Sequence, residues 1–323
     1  MSFFDHPWGR YGTRGSIFLF TVAAFLVGAG TARTQEPAEV LSLDADGRVS
    51  VRATRLTSEF DLDGRLDESI YQQLKPLTDF TQQIPEEGEP GSERTEAWVF
   101  FDDDNIYIGA RNHESAPPSE WVANEMRRDV IQLRQNDSFS VMLDTFFDRR
   151  NGAAFLVTPI GGFSDFAISN EGQRVNSDWN VVWDSRTARY DGGWTVEMRI
   201  PFKSLRFRPG RDQTWGIQLR RIIRRRNEAS YLTPLPISAA RGNSVIAGLW
   251  RISEAATLTD LQVPGQSLNA EVKPYGIGRM TTDRTVTPEV GKDFNQDLGF
   301  DVKYGITSNL TADFTYNTDF AQV

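Results

Sequence analysis

The chain has 323 residues, of which 39% are apolar and 24% charged, so it can build a hydrophobic core and is not disordered as a whole. It has no cysteine and two histidines, His6 and His113, which excludes thiolate nucleophiles and zinc sites made of cysteine and histidine. The formal net charge of −9 argues against a nucleic-acid partner, because binding to nucleic acid needs a positive field.

Residues 1–32 have the layout of a secretory signal peptide. Arg10 and Arg14 precede the uncharged run 17–29, which is shorter than the roughly 20 residues that span a bilayer, and small residues follow up to Ala32. We expect cleavage near Ala32 and export of the mature chain. Residues 33–55 show little periodicity and are predicted to be a linker.

Residues 56–260 consist of short alternating or apolar segments broken by Gly, Pro, Asn and Asp, which is typical of an all-β sandwich of jelly-roll or immunoglobulin-like type. Hairpins are predicted around the turns Asp102–Asn105 and Phe147–Gly152, and further strands over Trp194–Pro201 and Trp215–Ile223. One short helix is predicted over Asp67–Leu74, with Asp67 as its cap.

Residues 268–323 have a different pattern, with long strands that are apolar on one side and joined by a short turn. This pattern predicts the first strands of a transmembrane β-barrel, and a soluble amphipathic hairpin is the alternative. Glu271–Arg279 is a candidate earlier strand. Because such barrels need at least about eight strands, we expect either a longer protein or a truncated sequence. The face expected to meet lipid consists of Leu298, Phe300, Val302, Tyr304, Leu310, Ala312, Phe314 and Tyr316.

Several motifs, in this order, resemble the successive signatures of the family-9 carbohydrate-binding module. They are Phe60–Tyr71, the hairpin through Asp102–Asp104, the strand Asn136–Asp144, and Gly193–Phe202. Three more segments resemble the variant of that module fused to an uncharacterised outer-membrane barrel of Gram-negative bacteria: Arg149–Gly152, Ser204–Phe207 and Arg220–Arg224.

This resemblance implies a β-sandwich over residues 60–260, a glycan ligand, frequent calcium and, in some relatives, attachment to a xylanase domain. Aligned on Asp137–Ser138, the chain has Arg134 and Ser140 where sugar-binding members have a tryptophan and a glutamate. A sugar needs an aromatic face for its C–H groups and polar groups for its hydroxyls. Arg134 and Asp137 are candidate glycan contacts, and Arg134 and Ser140 are the two departures from the family pattern.

Three tryptophans are further candidates for glycan contacts. Trp179 and Trp183 lie four residues apart, so in a strand they share one face, either as a stacking platform or as core. Trp121 follows two prolines in a predicted loop, where ligand contact is the alternative to core packing.

Charged clusters suggest two more sites. Asp102, Asp103 and Asp104 offer the oxygen ligands that calcium prefers, or form a solvated acidic turn. The run Arg220–Arg226 either pairs with acidic neighbours in the sandwich, which we favour, or faces lipid phosphates.

The predicted function is glycan binding, in carbohydrate catabolism, by an exported protein of the outer membrane or periplasm of a Gram-negative bacterium. The expected partners are a polysaccharide or oligosaccharide and outer-membrane lipid, and no nucleic acid. One alternative is a periplasmic or plug domain without a sugar site. The other is a glycoside hydrolase, which needs two carboxylates across one cleft at roughly 5 to 9.5 Å.

Overall fold

A computed structural model describes residues 41–44, 47–239, 247–264, 270–283, 290–307 and 310–317. The predicted signal peptide and residues 33–40 of the predicted linker lie outside these residues. Nearly all regular structure in the described chain is β, as predicted, and none of its helices has the length and apolar character needed to cross a bilayer.

The strands follow one another along the chain, with one short α-helix near the start. They are β1 (Leu41–Leu43), β2 (Val49–Arg52), β3 (Thr54–Arg55), α1 (Ser69–Gln73), β4 (Thr81–Ile84), β5 (Thr95–Phe101), β6 (Asn105–His113), β7 (Ser138–Asp144), β8 (Gly152–Val157), β9 (Phe163–Ser169), β10 (Arg174–Asn176), β11 (Asp184–Tyr190), β12 (Gly193–Pro201), β13 (Asp212–Ile223), β14 (Glu228–Tyr231), β15 (Ala256–Gln262), β16 (Ala270–Asp283), β17 (Val290–Thr307) and β18 (Leu310–Tyr316).

Two sheets form the predicted sandwich. The larger sheet has the order β1-β2-β15-β13-β7-β8-β9-β10, with β14 paired to β13 and β4 paired to β14, and the smaller sheet has the order β11-β12-β6-β5-β3. Alternation along each strand sends one set of side chains inward. In β7, for example, Phe139, Val141 and Leu143 enter the core between the sheets. The predicted hairpins β5–β6 and β7–β8 are confirmed.

The outer face of the larger sheet is also covered. Met142, Leu156 and Phe166 project from its strands into a second buried cluster. Short 3-10 helices at Ile131–Gln135, Ala247–Trp250 and Ile252–Glu254 supply the covering side chains, among them Leu133 and Trp250. The larger sheet is therefore packed on both sides over this area.

The helix α1 covers the outer face of the smaller sheet. Tyr71 packs edge-on against Trp98 and Phe100, with ring centroids 5.2 and 5.6 Å apart. The helix is shorter than predicted, and Glu68 rather than Asp67 stands at its N-cap, with no side-chain hydrogen bond there. Packing of Tyr71, rather than capping, thus holds this helix.

The prediction of a linker over residues 33–55 is wrong for its second half. Residues 41–55 form β1, β2 and β3, and Val51 and Ala53 are buried. β2 pairs with β15 in the larger sheet, whereas β3 pairs with β5 in the smaller one, and both pairings are parallel. Strands of two to four residues are too short to show a periodic signal in the sequence.

The last three strands form a separate sheet in the order β16-β17-β18. The expected strand over Glu271–Arg279 lies within β16, and the predicted hairpin is β17–β18. The pairing sets Phe300 beside Tyr316, with stacked rings 5.4 Å apart. The large apolar side chains of this sheet that are exposed to solvent are Val272, Met280, Phe294, Leu298, Phe300, Tyr304, Phe314 and Tyr316.

Candidate functional site

Trp179 and Trp183 lie in the segment between β10 and β11, not in a strand as expected. Both rings pack against Phe155, at 6.0 and 5.0 Å between centroids. Trp183 is 4% exposed and its indole N–H donates to Asp165 at 3.1 Å, so this ring is part of the core. Trp179 is half-buried and keeps part of its ring at the surface.

Trp121 belongs to the core between the sheets, with 8% of its surface exposed. Its indole N–H donates to the carbonyl oxygen of Ala116 at 3.0 Å. The Arg189 guanidinium lies 5.5 Å from the centre of its ring. In this arrangement Trp121 closes the end of the core and offers little ring surface to a ligand.

Arg134 is half-buried on the outer side of the larger sheet. Its guanidinium lies 4.8 Å from the centre of the Phe166 ring. Burial lowers the pKa of Arg134, because a partly desolvated cation is disfavoured. Arg224 donates a hydrogen bond from its guanidinium to the carbonyl oxygen of Arg134, so the two arginines are direct neighbours.

Asp137 and Ser140 are both committed to internal hydrogen bonds. The carboxylate of Asp137 accepts the main-chain N–H groups of Arg224 at 2.6 Å and Val122 at 2.9 Å. Burial raises the pKa of Asp137, and this effect outweighs the two hydrogen bonds, which lower the pKa. The hydroxyl of Ser140 accepts a bond from Arg220 at 2.9 Å. Asp137 thus ties the segment after Trp121 to the end of β13.

The acidic turn Asp102–Asp104 does not fit a calcium ion as it stands. The Asp102 carboxylate already accepts bonds from the main chain of Asp104 and Asn105 and from the hydroxyl of Tyr107, and these bonds lower its pKa. Asp103 pairs with Arg55 instead. Throughout the described residues, no group of three or more acidic or histidine side chains converges as a metal site would require.

The prediction that the arginine run pairs with acidic side chains is confirmed for three of its members. Arg221 and Glu114 form a buried ion pair at 3.3 Å, and Arg225 binds both Glu114 and Glu93. Arg226 also reaches Glu93, at 3.2 Å. These contacts balance the charges on one side of β13.

Arg220 and Arg224 lie beside these contacts, although the sequence interpretation did not name them as glycan-binding residues. Alternation along β13 sends Arg221 inward, so Arg220 projects from the opposite face, where it contacts Ser140 and Tyr231. That alternation is present in the sequence. The sequence does not show which face of β13 meets the acidic partners, because that depends on how distant segments pack against the strand.

Comparisons with known proteins give similarities of structure. No protein-family model matches the sequence, and no curated protein matches it either. Two solved structures of a family-9 carbohydrate-binding module from Caldicellulosiruptor kristjanssonii, in complex with glucose and with cellotriose, are similar to this chain. Each is 15% identical to this chain over an alignment that spans 68% of it. The alignments span 97% and 95% of the two solved chains, with TM-scores of 0.46 and 0.45 respectively.

Proposed function

We propose that the sandwich is a carbohydrate-binding module, which binds a polysaccharide or oligosaccharide at the surface around Trp179. The observation that carries this proposal is Trp179, which packs on the core and is still partly exposed to solvent. Phe155 supports the ring from inside the core. Asp178 and Asn180 flank it with exposed polar side chains. An aromatic face packs against sugar C–H groups, and the carboxylate and amide bind hydroxyls. The resemblance of the sequence motifs to family-9 modules points to the same ligand class.

The proposal places the protein at the outer membrane, after export. Its support is the third sheet, in which Leu298 is 78% exposed and Phe314 62% exposed on one face. The apolar residues of this face have even numbers, whereas Asp301 and Asp313 have odd numbers. Because side chains alternate along a strand, these two carboxylates point to the other side of the sheet. A sheet with one apolar and one charged face suits a boundary between lipid and a polar lumen.

A second candidate is a periplasmic or plug domain that binds no sugar. It is favoured by the burial of Trp121 and Trp183 and by the internal hydrogen bonds of Asp137. These residues serve the fold directly. A third candidate, glycosidic hydrolysis, needs a pair of carboxylates across a cleft, and the same experiment tests it.

The experiment uses the full chain in detergent micelles. Affinity gels and calorimetry with xylan, cellulose oligomers and mixed-linkage glucan should show binding. Trp179→Ala should weaken it about tenfold, because a stacking aromatic contributes roughly 1 kcal/mol or more. The matched control is Val182→Ala, which changes an exposed apolar residue of the same segment. Circular dichroism checks that both variants fold.

Folded protein that binds nothing on a broad glycan array at millimolar sugar would overturn the proposal in favour of the plug domain. Equal binding by Trp179→Ala and wild type would remove Trp179 from the site. Steady release of reducing ends, abolished by changing one acidic residue, would instead identify a hydrolase.

A further inference from the structure

Three arginines meet on the outer side of the larger sheet, and we call Arg134, Arg220 and Arg224 the arginine cluster. Arg220 projects from β13 opposite Ser140, and its guanidinium donates to that hydroxyl at 2.9 Å. Arg224 follows directly after β13 and donates to the carbonyl oxygen of Arg134. Burial lowers the pKa of Arg220, and the positive charges of Arg224 and Arg134 lower it further.

The cluster differs in charge balance from the other arginines of the same run. Arg221, Arg225 and Arg226 have Glu93 or Glu114 as partners. Within the part of the chain that the structure describes, neither Arg134 nor Arg224 has a carboxylate oxygen within ion-pair distance. Asp137 forms no ion pair with Arg224, since its oxygens accept the main-chain N–H groups of Val122 and Arg224, and its charge offsets the burial of Arg224 only in part.

Partly buried positive charges without an ion-pair partner are costly, because burial removes the water that would stabilise them. Burial does lower the pKa of both Arg134 and Arg224. Polar atoms beside them are also unused. The Nε of Arg224 and the Oγ of Ser138 are buried without a hydrogen-bond partner in the described structure. Both residues nevertheless remain partly exposed to solvent. An anionic group bound here would supply both the missing charge and the missing acceptor.

We propose that the arginine cluster binds the carboxylate of an acidic saccharide, such as a uronate residue of a polysaccharide. This inference rests on the proposed function, names the class of glycan and adds a contact surface on the outer side of the larger sheet, whereas Trp179 packs on the core between the sheets. A guanidinium is planar and presents paired N–H donors at the spacing of a carboxylate, so either Arg134 or Arg224 can bind one carboxylate through two parallel hydrogen bonds.

The test compares two forms of one polymer, polygalacturonate and its methyl ester, which differ in charge while sharing the backbone. Calorimetry with the full chain in micelles should show about tenfold tighter binding of the free acid, since a hydrogen bond to a charged group is stronger than one to a neutral group. Arg134→Gln and Arg224→Gln should each remove most of this preference. Arg134→Lys keeps the positive charge and loses the paired N–H donors of the guanidinium. Its preference for the free acid should lie between those of the wild type and Arg134→Gln.

The control is Arg174→Gln, which removes the same charge from an exposed position on β10 and should leave the preference unchanged. A thermal melt of each variant checks folding. Equal binding of the two polymers, with no effect of Arg134→Gln, would overturn the inference while the proposed function stands. Binding of neither polymer, nor of xylan or glucan, would overturn the proposed function itself. Displacement by inorganic phosphate as effective as by galacturonate would show a general anion site and overturn the assignment to a saccharide.

Discussion

The hydroxyl of Tyr71 donates a hydrogen bond to Glu197 Oε1 at 2.8 Å, beneath the helix that covers the smaller sheet. The other oxygen of Glu197 accepts the main-chain N–H of Gly64 at 2.8 Å. Burial outweighs these bonds and raises the pKa of Glu197 to about 8. The carboxyl group is therefore largely protonated at neutral pH, and the contact between helix and sheet depends on pH.

Glu197 should make the folded protein less stable as the pH rises. The pKa is about 8 in the folded state against an ordinary 4.5, so the folded state binds more protons than the unfolded state between these values. The stabilisation is complete below pH 4.5 and is lost as the pH rises through 8. Since one pKa unit corresponds to about 1.4 kcal/mol, we expect a loss of a few kcal/mol from this group.

Urea unfolding of wild type and Glu197→Gln from pH 5 to pH 9 measures this loss. In Glu197→Gln, the free energy of unfolding should fall much less between pH 5 and pH 9 than it does in the wild type. The control Glu59→Gln changes an exposed carboxylate and should show the same fall in the free energy of unfolding as the wild type. Identical pH profiles for wild type and Glu197→Gln would contradict the prediction.

Gly109→Ala should destabilise the same region. A Cβ atom at this position would lie 2.6 Å from the Tyr71 ring, so the ring or the strand must shift. Overpacking of this kind costs about 1 to 3 kcal/mol. In a Tyr71→Leu background the cost should be much smaller, because the ring atoms are gone. Denaturant titrations of the two single variants and the double variant give the coupling, and additive effects would show that the two residues do not clash.

Glu114→Gln should destabilise the fold strongly. Glu114 binds Arg221 and Arg225, and both Glu114 and Arg221 are buried. Removing one partner leaves a buried guanidinium without its counter-charge, which costs about 3 to 5 kcal/mol. Asp103→Asn breaks the exposed pair with Arg55 and should cost no more than about 1 kcal/mol. Chemical denaturation compares the two, and equal costs would contradict the assigned difference in burial.

Phe300→Arg should impair association with the outer membrane if the third sheet meets lipid. An arginine on a lipid-facing strand costs about 2 to 4 kcal/mol at the bilayer midplane. Asp301→Asn, on the opposite face of the same strand, should have a mild effect. The measurement is the fraction of the full chain recovered in the outer-membrane fraction of a Gram-negative host. Equal recovery of Phe300→Arg and wild type, or a monomeric chain in detergent-free buffer, would contradict membrane contact.

The sequence predicted those parts of the fold in which long strands alternate or are wholly apolar. The turns after Phe101 and Asp144 were found because they separate two such strands. β2 and β3 were missed, since four and two residues carry no measurable period and their partners, β15 and β5, are distant in the chain. Parallel pairing between distant segments leaves no local signal.

The candidate site was predictable in composition and less so in arrangement. Trp179 and Trp183 were expected to share a strand face; both rings pack on Phe155 from an irregular segment instead, with Trp183 buried and Trp179 partly exposed. Arg134 was identified by its place in the motif. The proximity of Arg134 to Arg224 could not be predicted, because this contact depends on how the 3-10 helix after Val130 packs on the sheet.

The crossing of residues 49–55 from one sheet to the other bears on where the folding unit begins. Ala53 lies between the two pairings and donates its main-chain N–H to the carbonyl oxygen of Thr259 at 2.9 Å. Cutting the chain at residue 56 would uncover the hydrogen-bonding edges of β15 and β5 together, and bare edges recruit other chains. A recombinant fragment starting there should aggregate, whereas one starting at residue 41 retains the strands that seal both layers.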